Sequence, residues 1–378
     1  MSGCFSCARL LAMISKEFVQ IRRDPPTFGM MVGIPLIQLM LFGFAINSDP
    51  KHLPTAVRDA DAGSVGRAVI AAMQASQYFH VTLIPDTEAA VEDAFAHGDA
   101  QFVVTVPADF SRRVLRGERP ALLVEADATD PAATANALSA LDRLSAAAAA
   151  RELTGPFAKL KQGEAPFEMR VHRRYNPEGE TTFNIVPGLM GVVLTMTMVI
   201  MTCLAVTRER ERGTMETLLA MPLSPFEVML GKILPYVAIG YLQVVFILAA
   251  AKLIFAVPMM GSLALLSAVT VVFISANLAV GYTFSTVAAN QLQAVQMGFF
   301  FFLPSIMLSG FMFPFRGMPE WAQVIGEALP LTHFLRIVRG ILLKGSGWGA
   351  IAPDLAAIAA FLFVAGFIAV RRYRMTLD

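Results

Sequence analysis

Cys4 and Cys7 form a C-x-x-C pair, a spacing found in metal sites and in redox-active thiols. The chain has 3 cysteines, and the third, Cys203, is distant in sequence. A second C-x-x-C or a nearby histidine pair would be needed to complete a typical zinc site, and the sequence has neither. We therefore expect two reduced cytoplasmic thiols and no metal site, with metal binding or redox chemistry as the alternative.

The sequence carries no recognisable phosphate cradle. The pattern G-x-x-x-x-G-K-[ST] does not occur, and its nearest match, Gly340 with Gly345, continues as Ser346-Gly347 without the lysine. The patterns H-E-x-x-H and G-x-S-x-G do not occur either. We expect no catalytic residue and no bound cofactor, so that any ATP used must be bound by a partner.

The segment Thr207–Glu227, TRERERGTMETLLAMPLSPFE, has the strongest local pattern. Its alternating charges favour water, and Thr214 after Gly213 is suited to cap a short helix. Methionine and leucine side chains exposed on that helix favour docking of a soluble partner over the alternative, a solvated charged loop. The predicted docking residues are Glu209, Glu211, Gly213, Thr214, Met215, Glu216, Leu218 and Leu219.

Residues 1–27 contain an amphipathic pattern that ends at two prolines. Apolar residues recur at helical spacing, opposite basic and polar residues, which is typical of a helix lying in the membrane surface. The alternative is a basic flank without this structure. The residues assigned to the interfacial helix are Ile14, Lys16, Glu17, Phe18, Arg22 and Arg23.

Composition requires much of this chain to face lipid. Hydrophobic residues make up 56% of the 378 residues and charged residues only 16%, against about 25% charge in soluble domains. A net charge of +1 gives no signal for nucleic acid. Six runs are long and apolar enough to cross a bilayer. They are residues 28–46, 183–206, 233–255, 263–287, 295–313 and 351–370.

Basic residues orient these spans. They precede the first span, follow the last and fill the loop after the second, which places both termini and that loop in the cytoplasm. Four basic residues argue the other way, because they lie on the predicted outer side: Arg316, Arg336, Arg339 and Lys344. Ionisable residues such as Lys252 and Asp354 stand near span ends, whereas the span interiors carry neutral groups such as Gln38, Gln243 and Asn277. That pattern disfavours a proton-driven transporter.

Residues 47–182 form a long insertion between the first two spans. Short strands are expected at residues 55–59, 81–84, 101–106, 121–126 and 170–175, alternating with helices at 64–76, 87–97, 108–116 and 131–153. This alternation predicts an α/β extracytoplasmic domain, and the apolar stripe Leu138, Leu141 and Leu144 predicts a packing face. The predicted fold is an α-helical polytopic membrane protein with six transmembrane helices, the α/β domain lying between helices 1 and 2.

Residues 314–350 are expected to form re-entrant or interfacial helices on the outer side. Trp321, Val324, Ile325 and Ala328 would share one face of a short helix, and a second helix would follow Pro330. Tryptophan is frequent at membrane interfaces. His333, a lone histidine, is expected to have a hydrogen-bonded structural role.

Several short motifs, in this order, resemble those of the ABC-2 type permeases of bacterial drug exporters. They are Lys16-Glu17-Phe18, Arg22-Arg23-Asp24-Pro25, Asp59-Ala60-Asp61, Val106-Pro107-Ala108-Asp109-Phe110-Ser111, Asn176-Pro177, Pro187-Gly188, Glu209 to Thr214, Glu216-Thr217-Leu218, Gly231-Lys232, Phe313-Pro314-Phe315, Met318-Pro319 and Pro330-Leu331-Thr332. The resemblance covers nearly the whole chain, although the Cys4 and Cys7 pair is not part of the family pattern.

The resemblance implies a six-span exporter subunit in a bacterial inner membrane. Such a subunit pairs with a second permease subunit, identical or different, and with two separate ATPase subunits, often beside a periplasmic adaptor. The docking residues of 207–227 would then couple to the ATPase, and the cargo would be small hydrophobic or amphipathic compounds, drugs or lipids. The alternative is a secondary transporter or channel-like protein that ATP does not drive.

Overall fold

The computed structural model describes residues 50–152, 166–211 and 225–372. The predicted interfacial helix, the first predicted span and most of the docking segment lie outside the described residues. The six-span count therefore remains a prediction, whereas the later spans and the α/β domain can be compared with the structure.

The α/β domain is built on a five-stranded sheet of order β2-β1-β3-β4-β5. Its strands are β1 (Leu53–Asp59), β2 (Phe79–Leu83), β3 (Phe102–Val106), β4 (Ala121–Asp127) and β5 (Glu168–Arg174). All neighbours are parallel except β3 and β4, which are antiparallel. Each predicted strand is confirmed to within a few residues.

Four helices cover the sheet: α1 (Ser64–Ala75), α2 (Glu88–His97), α3 (Phe110–Leu115) and α4 (Pro131–Glu152). The main core lies on one face, where Leu138, Leu141 and Leu144 of α4 join Phe79, Phe102 and other buried side chains. The predicted packing role of that leucine stripe is thus confirmed. Helix α2 covers the other face, with Phe95 fully buried against Ala56 and Val103.

Five described helices are long and apolar enough to cross a membrane. They are α5 (Thr181–Glu211), α6 (Pro225–Leu253), α7 (Leu263–Val287), α8 (Gln291–Leu308) and α11 (Trp348–Arg372). Each overlaps one predicted span. Their shared core includes Met190, Phe273, Phe302 and Ile358, so the described helices form one bundle.

Small residues allow the helices of this bundle to approach closely. A Cβ on Gly281 of α7 would lie 2.6 Å from the Val199 carbonyl oxygen of α5, so glycine is required for the observed contact. Close packing of small residues is the usual basis of helix association in lipid. Neutral polar groups pair between helices of the described bundle: Thr197 of α5 donates to Gln243 Oε1 of α6 at 2.9 Å.

Two short helices, α9 (Glu320–Glu327) and α10 (Pro330–Arg339), connect α8 to α11. The predicted apolar face of α9 is exposed, with Val324 at 71%. Helix α10 instead buries Phe334, Leu335 and Val338 completely within the bundle core. A π-helical turn, Gly340–Lys344, ends at Gly345 with φ +70° and leads into α11.

Candidate functional site

Most of the predicted docking segment cannot be placed. Gly213, Thr214, Met215, Glu216, Leu218 and Leu219 lie outside the described residues, as do Ile14, Lys16, Glu17, Phe18, Arg22 and Arg23 of the N-terminal helix. Glu209 and Glu211 belong to the last turn of α5. The structure places the Glu211 side chain, whereas it describes only the backbone of Glu209.

The Glu211 carboxylate lies at the start of α8. Its oxygens accept hydrogen bonds from the backbone N–H of Gln291 at 2.7 Å and from the Gln291 side-chain amide. These bonds, the side-chain bond above all, lower the pKa of Glu211. A carboxylate beside the first turn of a helix is also favoured by the helix dipole. Glu211 therefore joins the end of α5 to the start of α8 within this chain.

A tightly packed corner surrounds this link. Cys203 of α5 is fully buried with Ala288 and Ala294 of the α7–α8 hairpin, and its thiol donates to the Ala294 carbonyl oxygen at 3.4 Å. Asn290 caps α8 by accepting from the Gln293 N–H at 2.8 Å. The docking segment continues directly from Glu211, so this corner is where it enters the bundle.

The opposite end of the bundle contacts the α/β domain. Lys344 Nζ lies 2.5 Å from Asp127 Oδ2 and donates to the Phe95 carbonyl oxygen at 3.0 Å. The Lys344 and Asp127 side chains are only 12% and 8% exposed. Arg316 donates to the Gly98 carbonyl oxygen at 3.1 Å. The basic residues that opposed the predicted orientation therefore bind the domain or its neighbouring helices.

A hydrogen-bonded network lies beside this junction. His333 Nδ1 is 2.6 Å from Asp354 Oδ1, and Nε2 is 2.8 Å from the Glu327 carbonyl oxygen. Burial alone would lower the pKa of His333, but the bonds to Asp354 and Glu327 outweigh it and raise that pKa. Arg336 forms ion pairs with Glu327 and Asp354. The structural role predicted for His333 is therefore confirmed.

The junction encloses a cavity of about 570 Å³. Its walls come from α2 and the β4–α4 loop on the domain side, and from α9, α10, the C-terminal end of α8 and the N-terminal end of α11 on the bundle side. Charged side chains of both signs line it, among them Asp130, Arg316 and Arg339. No group of three His, Cys, Asp or Glu side chains suited to a metal ion occurs among the described residues.

Sequence reasoning did not identify Gln291, Asp130 or Asn184 as partners in these sites. The residue before Gln291 is Asn290, and asparagine is a common helix cap. This cap is the one local sequence signal that a helix begins at Gln291. The basic residues between 316 and 344 were visible in the sequence as an excess of positive charge on the predicted outer side. Arg336 pairs with Glu327 and Asp354, which are near in sequence. The partners of Arg316 and Lys344 in the α/β domain, Gly98 and Asp127, are 218 and 217 residues away along the chain.

The described residues thus form a bundle of membrane-spanning helices with one α/β domain at one end. Residues 26–371 match the ABC-2 family transporter proteins. The chain belongs to this family.

Three relatives in Escherichia coli (strain K12) are similar along nearly their whole length. The probable multidrug ABC transporter permease YbhR is 29% identical over 93% of this chain and 95% of its own. The probable multidrug ABC transporter permease YbhS is 29% identical over 90% of each chain. The inner membrane transport permease YhhJ is 27% identical over 90% of this chain and 93% of its own.

Proposed function

We propose that this chain is the membrane-spanning subunit of an ATP-driven exporter in a bacterial inner membrane. It moves small hydrophobic or amphipathic compounds, drugs or lipids, out of the cytoplasm or the inner leaflet. The observation that carries the proposal is the end-to-end similarity to permeases named as multidrug ABC transporter subunits. The match to the ABC-2 family over residues 26–371 agrees with it.

The distribution of charge supports an external energy source. Among the described spans, Lys252 and Asp354 lie within the last and second turns of their helices, close to the helix ends. Secondary transporters and pumps usually carry ionisable groups deeper in the membrane. A secondary transporter or channel-like protein remains the alternative function.

The working complex contains a second permease subunit, identical or different, and two ATPase subunits, with a periplasmic adaptor as a further partner. ATP is bound by the ATPase subunits, and this chain holds no cofactor. Its termini are cytoplasmic. We assign residues 1–27 to the interfacial helix, 28–46 to the first span, 47–182 to the external domain and 183–378 to the remaining spans as part of this proposal.

The docking segment is the part of this proposal that mutation tests most directly. Leu218→Ala removes an apolar contact worth roughly 2 kcal/mol or more, whereas Thr214→Ala removes a helix cap worth about 1 kcal/mol. In membranes reconstituted with the ATPase, Leu218→Ala should weaken ATPase pull-down and uncouple hydrolysis from export more than Thr214→Ala. A Leu218→Ala/Leu219→Ala protein with wild-type coupling would exclude this segment as the link.

Orientation is tested separately by cysteine labelling. Asp86 and Arg208 are both exposed, one in the α/β domain and one near the end of α5. In a protein whose three native cysteines are replaced, Asp86→Cys should react with a membrane-impermeant maleimide from outside and Arg208→Cys only after permeabilisation. Labelling of both from the same side would rule out the proposed topology.

A further inference from the structure

Helix α9 has an apolar face that the described residues leave largely uncovered. Trp321, Val324 and Ile325 lie on this face, three to four residues apart, and are 45%, 71% and 47% exposed. We call these three residues the α9 face. A cluster of large exposed apolar side chains on a helix marks a surface that another apolar element covers.

The other sides of α9 are already occupied. Ala322 and Gly326 are buried against the end of α8, and a Cβ on Gly326 would lie 2.6 Å from the Leu308 carbonyl oxygen. Gln323 lines the cavity beside the α/β domain and donates to the Met318 carbonyl oxygen at 2.7 Å. These contacts fix the orientation of α9, with the α9 face turned away from the described bundle.

The described structure begins beside α9. Lys51 and His52, which follow the first described residue, border a second cavity together with Pro319 and Glu320 at the start of α9. Pro50, the first described residue, is buried. Among the described residues, none of α6, α7 or α11 borders this second cavity, although each of those helices also exposes apolar side chains. The chain before residue 50 therefore meets the described structure at α9.

The predicted first span ends close to this point. Only residues 47–49 separate its last residue, Ile46, from Pro50. Consecutive Cα atoms are about 3.8 Å apart, so the Cα atom of Ile46 lies within about 15 Å of that of Pro50. A helix with its side chains is about 10 Å across. A span that ends within this reach fills space beside α9 that lipid would otherwise occupy.

We propose that the outer end of the span predicted at residues 28–46 packs on the α9 face, so that this chain covers the surface itself. The run carries no charged residue, and its end, Leu41 to Ile46, is apolar throughout. Gly43 lies within this end, and small residues allow helices to approach closely in lipid. The contact rests on the predicted first span and not on export or ATP, so a test of it is independent of transport.

Cross-linking between cysteines tests this contact in membranes that contain the full chain with its three native cysteines replaced. Val324→Cys is combined in turn with Phe44→Cys, Ala45→Cys and Ile46→Cys, which sample three sides of the predicted span. A short bismaleimide should join at least one of these pairs within a single chain, as detected by mass spectrometry of the linked peptides. In the control, Leu253→Cys at the end of α6, where Leu253 is 81% exposed, replaces Val324→Cys. It should cross-link to the same span position several-fold less.

A second copy of the chain and lipid are the alternative occupants of the α9 face. To detect a second copy, chains with Val324→Cys alone are co-expressed with differently tagged chains that carry only the reactive span cysteine. The proposal predicts several-fold less linked dimer in this mixture than linkage within the double variant. Linked dimer as the main product would assign the α9 face to a second copy, and absence of any cross-link to Val324→Cys would assign it to lipid. Either result, or equal cross-linking to Leu253→Cys, would overturn the proposal.

Discussion

Glu211 and Gln291 are 80 residues apart, yet the carboxylate of one accepts hydrogen bonds from both the backbone and the side chain of the other. Glu211 is one of the predicted docking residues, and that role stays a prediction. In the structure its oxygens have a partner within this chain. The link fixes the end of α5, which forms the first part of the docking segment, to the first turn of α8.

This arrangement predicts that Gln291 matters for coupling although it lies outside the docking segment. If a partner moves residues 212–224, the Glu211–Gln291 link passes that movement to α8. Just beyond the C-terminal end of α8, the Gly310 carbonyl oxygen accepts a hydrogen bond from Arg339. Gln291→Ala should therefore lower export per ATP hydrolysed in the reconstituted complex, with ATPase pull-down unchanged. The double variant Glu211→Lys/Gln291→Glu places a positive side chain at 211 and a negative one at 291, which attract each other. It should recover part of the lost coupling.

Leu292→Ala provides the matched control. Leu292 is the next residue in α8 and is 69% exposed, so its truncation removes no contact from the link. Hydrogen exchange at the start of α8 supplies a readout that does not require transport: it should be faster in Gln291→Ala than in Leu292→Ala. Equal coupling and equal exchange in the two proteins would show that the link transmits nothing.

A second prediction concerns the Lys344–Asp127 pair that ties the α/β domain to the bundle. Lys344→Met leaves the Asp127 carboxylate buried without its counter-ion, which typically costs about 3–5 kcal/mol. We expect a lower unfolding temperature and faster hydrogen exchange near Phe95, whose carbonyl oxygen also loses its donor.

The exposed pair Arg112–Asp109, at 64% and 56% exposure, is the control for this prediction. Arg112→Gln should change stability by about 1 kcal/mol or less, as is usual for surface ion pairs. The double variant Lys344→Met/Asp127→Asn should recover much of the loss, because the uncompensated charge is gone. Equal, small effects of Lys344→Met and Arg112→Gln would show that the domain is held by other contacts.

Hydropathy predicted the described spans because the bilayer imposes one length and one composition on every crossing helix. Residues 263–287, for example, were predicted as a span and form α7 with the same limits. The span predicted at residues 295–313 was wrong at its end, since α8 stops at Leu308. Gly310 adopts φ +82° there, a conformation that apolar composition does not encode.

Partners across long sequence separations were not predictable. Arg316, Arg336, Arg339 and Lys344 counted against the predicted orientation while they were only positive charges in a loop. Their geometry shows a different reason for their presence, because Lys344 reaches Asp127 and Arg339 reaches Asn184. Such pairs depend on how the α/β domain sits on the bundle, which no local pattern specifies.

A third prediction tests the contact between α5 and α7. Gly281→Ala places a Cβ 2.6 Å from the Val199 carbonyl oxygen, so the two helices must separate. Overpacking of this kind commonly costs about 1–3 kcal/mol, and we expect a lower unfolding temperature in detergent. Gly366→Ala in α11, where the new Cβ would have no atom of another described helix within 4 Å, should be neutral or stabilising by up to about 1 kcal/mol. Equal destabilisation by both would contradict the packing described here.

The last prediction concerns pH and His333. Its raised pKa means that the folded protein holds this proton more tightly than the unfolded chain, whose histidine titrates near pH 6.5. The resulting stabilisation is complete below about pH 6.5 and is lost as pH rises through the higher pKa of the folded state. We therefore expect the unfolding temperature of the wild-type protein to fall above pH 6.5.

His333→Gln, which cannot be protonated, should be less stable at pH 6 and approach wild type at higher pH. His97→Gln is the control, because the His97 side chain is 35% exposed and its hydrogen bond and ion pair are with Asp93 of its own helix. A constant difference between wild type and His333→Gln across this pH range would mean that packing, rather than the charge shared with Asp354, accounts for the role of His333.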